Sequence, residues 1–175
     1  MNPRKSYLHA LPLALMLSQT AQAENVRLHG ALVAEPCVIA PGGESVTLDF
    51  GSLIDKDLYT NQRTRSKPFD IRLMECDVSL GKTVKVTFSG IENPHLAGLL
   101  AIDGGGQAKG IAIGMETQGG QKLPLNKPGE GVRLVNGSNT LTMLAFVQGE
   151  PAAIANKTIE RGPFSAIATF SLEYE

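Results

Sequence analysis

Between Phe164 and Tyr174 the chain alternates apolar and polar side chains almost without a break. Phe164, Ala166, Ala168, Phe170, Leu172 and Tyr174 fall on one side, and Ser165, Thr169, Ser171 and Glu173 fall on the other, with Ile167 as the single exception. A period of two over that length describes a β-strand buried on one face. Only Glu175 follows Tyr174, so the expectation is that a downstream hairpin does not cover this strand's second edge. An edge left open is a template for pairing with another chain.

The same period dominates the sequence upstream, and helical spacing is hard to find. Candidate strands are residues 26–34, 45–51, 68–76, 83–90, 109–116 and 140–149, followed by the run from Phe164. Turn signals separate them, among them "PGGES", "NPHLAG", "DGGGQ" and "NKPGEG". Short strands at this spacing, jointed by Gly and Pro, predict one all-β sandwich of immunoglobulin size, although the core Trp of antibody domains is absent.

The first 23 residues are read as a secretory signal and set aside. Arg4 and Lys5 precede a short apolar stretch, and Ala21 and Ala23 stand at small-residue cleavage positions before Glu24. The apolar stretch is too short to span a bilayer, which argues against direct membrane insertion. The formal net charge is −1, and it becomes more negative when Arg4 and Lys5 leave. That balance offers no footprint for nucleic acid. Arg63, Arg65 and Lys67 are expected to form a solvated loop face.

Cys37 and Cys76 are the only cysteines, and in an exported chain they are most simply a disulfide. A metal site would need more ligands than these two and the scattered His29 and His95 supply, so no metal or cofactor is expected. Neither histidine has a triad arrangement around it, which argues against an enzyme. "GGGQAKG" at 104–110 lacks the Lys-Ser or Lys-Thr of a phosphate loop and is read as a turn. The sequons at Asn136 and Asn156 are read as ordinary turn residues.

The N-terminal run can be read in two ways. Val26, Leu28, Gly30 and Leu32 share one face, and Gly30 stands where a packed side chain is expected, which suggests close backbone approach. Periodicity alone favours the plainer reading, that residues 25–34 are the first strand of a closed domain.

Five segments taken in order resemble the pilin subunits of Gram-negative chaperone-usher fimbriae. They are "HGALVAEPC" with its glycine seven residues before the first cysteine, "LDFGSL", "PFDIRLMEC", "VKVTFSG", and a tail with Gly162 fourteenth from the end and Tyr174 penultimate. The resemblance implies an incomplete immunoglobulin-like β-sandwich lacking its last strand, completed by donor-strand complementation. It implies a structural, non-enzymatic subunit of a fimbria on the cell surface that supports adhesion. A periplasmic chaperone, an outer-membrane usher and neighbouring pilin subunits would be its partners.

Under that resemblance residues 24–35 are a donor extension and 36–175 the pilin domain. Val26, Leu28 and Leu32 are the inserted knobs, and Gly30 is the point of close approach. Gly162 to Glu175 form the groove strand, with the Glu175 carboxylate held by the chaperone, and Cys37 and Cys76 match the family's disulfide. The short lead before Val26 points to a minor or adaptor subunit. The alternative is a self-contained exported binding module of lectin-like type.

Overall fold

A strand becomes regular only where a neighbour answers its hydrogen bonds, and that condition decides which of the alternating runs form ladders. The computed structural model describes Gly30, Leu32 and residues 34–175. Residues 34–175 belong to one compact unit.

In chain order the elements are β1 (Val38–Ile39), α1 (Asp55–Asn61), β2 (Lys67–Cys76), β3 (Thr83–Ser89), β4 (Leu100–Ala101), β5 (Ile111–Thr117), β6 (Val132–Arg133), β7 (Gly137–Gly149), α2 (Pro151–Asn156) and β8 (Thr169–Tyr174). One sheet has the order β1-β2-β7-β5-β4 and the other β6-β3-β8, with every pairing antiparallel. The long ladder between β2 and β7 sets Ile71 opposite Leu141 and Lys67 opposite Ala145, and slips between Leu73 and Cys76 at a bulge. Cys37 and Cys76 are disulfide-bonded, which ties the entry of β1 to the end of β2.

The core lies between the two sheets. Ile71 and Leu73 of β2, Leu141, Met143 and Val147 of β7, and Val84, Val86 and Phe88 of β3 meet there. Phe69 and Phe88 pack edge to face across the gap, with ring centroids 5.9 Å apart.

The outer face of β5 is buried as well. Gly114 lies under the ring of Phe146, where a Cβ would stand 2.2 Å from Phe146 Cζ. The Arg63 guanidinium stacks on that ring, 3.5 Å from its centre, and donates to both carboxylate oxygens of Glu116 at 3.0 and 2.8 Å. This corrects the expectation of a solvated basic face. Arg65 and Lys67 are exposed, but Arg63 is half-buried and clamps the β2 entry onto β5.

Two further expectations change. Residues 45–51 do not form a strand: they run without a regular ladder, although Leu48 and Phe50 still pack on the core. Short helices interrupt the β-pattern at α1, which buries Leu58, and at α2, where Pro151 occupies the first turn and Ala153 is buried. The remaining candidate strands at 68–76, 83–90, 109–116 and 140–149 appear as β2, β3, β5 and β7.

Candidate functional site

The alternation near the C-terminus puts Phe170, Leu172 and Tyr174 of β8 toward the core and Thr169, Ser171 and Glu173 outward. Residues 164–168 lead into β8 with the same alternation: Phe164, Ala166 and Ala168 are half-buried and packed on the core, whereas Ile167 is 80% exposed. Among the described residues β8 ladders with β3 alone, from Val84 opposite Tyr174 to Ser89 opposite Thr169.

Beside the other edge of this segment runs a groove of about 810 Å³. One wall is residues 44–51, the other residues 164–170, and the floor includes Phe69, Phe88, Ile113 and Met115. Phe50 and Phe164 meet across it with ring centroids 6.2 Å apart. The floor is therefore drawn from both sheets, and the walls are two extended segments that face each other without pairing. That is the shape left when one strand of a sandwich is removed.

The irregular state of residues 45–51 follows from the same cause. Its inward residues Leu48 and Phe50 have a core to touch, but its backbone has no strand beside it to complete a ladder. The alternation and the missing strand were both legible in sequence; that the same gap also deprives residues 45–51 of a ladder was not.

Both ends of the β8 segment are fastened by the chain itself. At the start, Gly162 has φ +148°, and a Cβ there would stand 2.4 Å from the Gln107 Cβ. The Pro163 carbonyl accepts from the Gln107 and Ala108 amides at 3.0 and 3.4 Å, and Asp103 N donates to the Ser165 carbonyl at 2.7 Å. Gly162 is thus required by the approach of the 103–108 turn. At the finish, the Glu175 main-chain oxygen accepts from Lys82 N at 2.6 Å and Thr83 N at 3.0 Å, while Glu175 N donates to Thr83 O at 3.0 Å. The Glu175 side chain pairs with Lys85, whose pKa is raised, first by that hydrogen bond and then by the Glu175 and Glu173 charges. Burial pushes the Tyr174 hydroxyl above its ordinary value, with Glu35 adding to the shift.

The other end of the chain leaves the domain next to this seat. Asp77 N donates to Pro36 O at 2.8 Å, and a Cβ on Gly81 would touch both Pro36 Cγ and Tyr174 Cβ. Gly30 and Leu32 are exposed. Val26 and Leu28 lie outside the described residues, as do the cleavage positions Ala21, Ala23 and Glu24 and His29. His95 is exposed on a turn capped by Asn93.

Comparison with known proteins converges on one family. The model of a family described as "Fimbrial protein" matches residues 26–175. The chain is 34% identical over 151 residues to the major MR/P fimbria protein of Proteus mirabilis, covering 86% of this chain and 83% of that one. It is 30% identical over 170 residues to the fimbrial adapter PapK of Escherichia coli, covering 94% and 95%. Among solved structures it is similar to the P pilus rod subunit PapA, with a TM-score of 0.69, 27% identity, and coverage of 81% of this chain and all of that one. A chaperone-usher pilus structure gives the same TM-score at 28% identity, covering 90% and 98%.

Proposed function

Because the chain belongs to the fimbrial protein family and is a structural subunit of a chaperone-usher pilus, we propose that its groove is filled by a β-strand from the N-terminal extension of a neighbouring subunit. The observation that carries this is the gap itself: an apolar floor built by both sheets, open between residues 44–51 and the edge of the β8 segment. A strand laid there answers the free backbone groups of β8 and covers the floor at once, which is strand addition to an exposed edge. The polymer it builds is a surface fimbria, and the relatives that support this are structural subunits.

The inserted strand is residues 24–35 of the donor. Val26, Leu28 and Leu32 enter the groove, and Gly30 lets the backbones come close. Three such side chains, each burying on the order of 60–100 Å², contribute roughly 4–8 kcal/mol before the ladder bonds are counted. Earlier on the route, after residues 1–23 are removed as a signal, a periplasmic chaperone lends the strand and holds β8, and an outer-membrane usher receives the subunit. The completed fibre serves attachment of the cell.

A peptide spanning residues 24–35 tests the reading. Added to the mature chain, it is expected to bind with one-to-one stoichiometry and raise the unfolding midpoint, and a Gly30→Leu peptide is expected to bind far more slowly. A mature chain that is a stable monomer and ignores the peptide would overturn it.

A further inference from the structure

Ile167 is the one residue that breaks the alternation before β8, and the structure gives it a companion. Continuing the β3–β8 register two residues past Ser89 opposite Thr169 brings Ile91 opposite Ile167. The two backbones are close there, since a Cβ on Gly90 would stand 3.4 Å from Ile167 O. Ile91 is 79% exposed and Ile167 80%. They interrupt an outer sheet face that is otherwise polar, made of Lys85, Thr87 and Ser89 beside Thr169, Ser171 and Glu173. Both backbones are pinned: Ala101 N donates to Ile91 O at 2.8 Å, and Asp103 N donates to Ser165 O.

The opposite pole carries a second exposed apolar pair. Leu80 is 55% and Val135 59% exposed. Val78 N donates to Asn136 Oδ1 and Leu134 N to Lys82 O, which holds their two loops together. Pro36 is joined to the same region through Asp77 and Gly81. The N-terminal extension therefore departs from the pole that bears Leu80 and Val135.

The geometry points to a second interface between copies of this chain, in which Ile91 and Ile167 of the accepting subunit dock against Leu80 and Val135 of the donating one. This rests on the strand-donation reading. A strand replacing the last strand of the sandwich runs antiparallel to β8, as every other pairing here does. Its C-terminal end then leaves the groove at the Phe164 and Ile167 end. From Leu32 to Pro36 the chain spans at most about 14 Å, so the donor's departing pole is held against the acceptor's Ile91 and Ile167. Because unlike poles meet, the contact repeats along an open filament without closing. It fixes the angle between successive subunits, which a strand on a flexible tether would leave free.

Two double variants test this, Ile91→Ser/Ile167→Ser and Leu80→Ser/Val135→Ser, each changing only exposed positions. Polymers of the full mature chain are challenged with an excess of the 24–35 peptide and subunit release is timed. Release is expected to be about tenfold faster in each double variant, about 1.4 kcal/mol, while binding of the peptide to the Leu80→Ser/Val135→Ser variant, whose positions lie away from the groove, is unchanged. The quadruple variant is expected to release no faster than either double, since both remove one shared contact. Release within about twofold of wild type in both doubles, or full multiplication of their effects in the quadruple, overturns the interface while leaving strand donation intact. A wild-type chain that does not bind the peptide removes strand donation, and the interface with it.

Discussion

Gly162→Ala separates a glycine required by this chain's own fold from one required only by a partner. At φ +148° an alanine is strained, which costs about 1–3 kcal/mol. Its Cβ would also stand 2.4 Å from Gln107 Cβ and 3.1 Å from Gln107 Oε1, and relieving such an overlap costs about 1–3 kcal/mol more. The total, about 2–6 kcal/mol, shifts a guanidinium midpoint by about 0.4–1.2 M for a domain of this size. The assay is unfolding of the mature chain in complex with the 24–35 peptide. In a double-mutant cycle, Gln107→Gly should recover the overlap but not the backbone strain, a coupling of about 1–3 kcal/mol. Peptide affinity should fall too, because the Phe164 wall is hung from this joint through Pro163 O and Ser165 O. A Gly162→Ala midpoint within about 0.1 M of wild type would refute the reasoning and return the glycine to a contact made only with another protein.

Three more outcomes are expected. Glu116 has its carboxyl held below the ordinary value of 4.5, first by the Arg63 hydrogen bonds, against burial, and then by Ser66. Its contribution is therefore fully present above about pH 4.5 and lost as pH falls through the depressed folded value; Glu116→Gln should cost about 2–4 kcal/mol near neutrality and flatten the acid limb of a stability-against-pH curve. Reducing the Cys37–Cys76 bridge, or replacing both cysteines by Ser, releases a closed loop with a sequence separation of 39. That should cost about 4 kcal/mol, read as a lower unfolding midpoint and a lower yield of recovered subunit. Gly114→Ala places a Cβ 2.2 Å from Phe146 Cζ, and it should lower stability by about 1–3 kcal/mol and loosen the Arg63 stack, seen as faster amide exchange at Thr64 and Val147.

What could be read in advance was whatever the period of two carries. β2, β3, β5, β7 and the β8 run were visible because each has one face on the core. Residues 45–51 have the same alternation, and only the neighbour decides whether alternation becomes a ladder. α1 and α2 are seven and six residues long, too short to show an amphipathic period or to stand alone. Pro151 after Gly149 was the available cue for the second. Arg63 looked solvated because its carboxylate lies 53 residues further along the chain. The tightness around Gly162 is likewise set by Gln107, which belongs to a different turn.

The seat of Glu175 on Lys82 and Thr83 bears on mechanics. β8 runs from one pole of the subunit to the other and is fastened at both ends within its own domain. A tensile force along a fibre would pull a strand lying against β8 lengthwise, so that all of its backbone bonds resist together in shear rather than parting in turn like a zipper. The terminal fastening would then keep the β8 rail from sliding along with any strand laid against it.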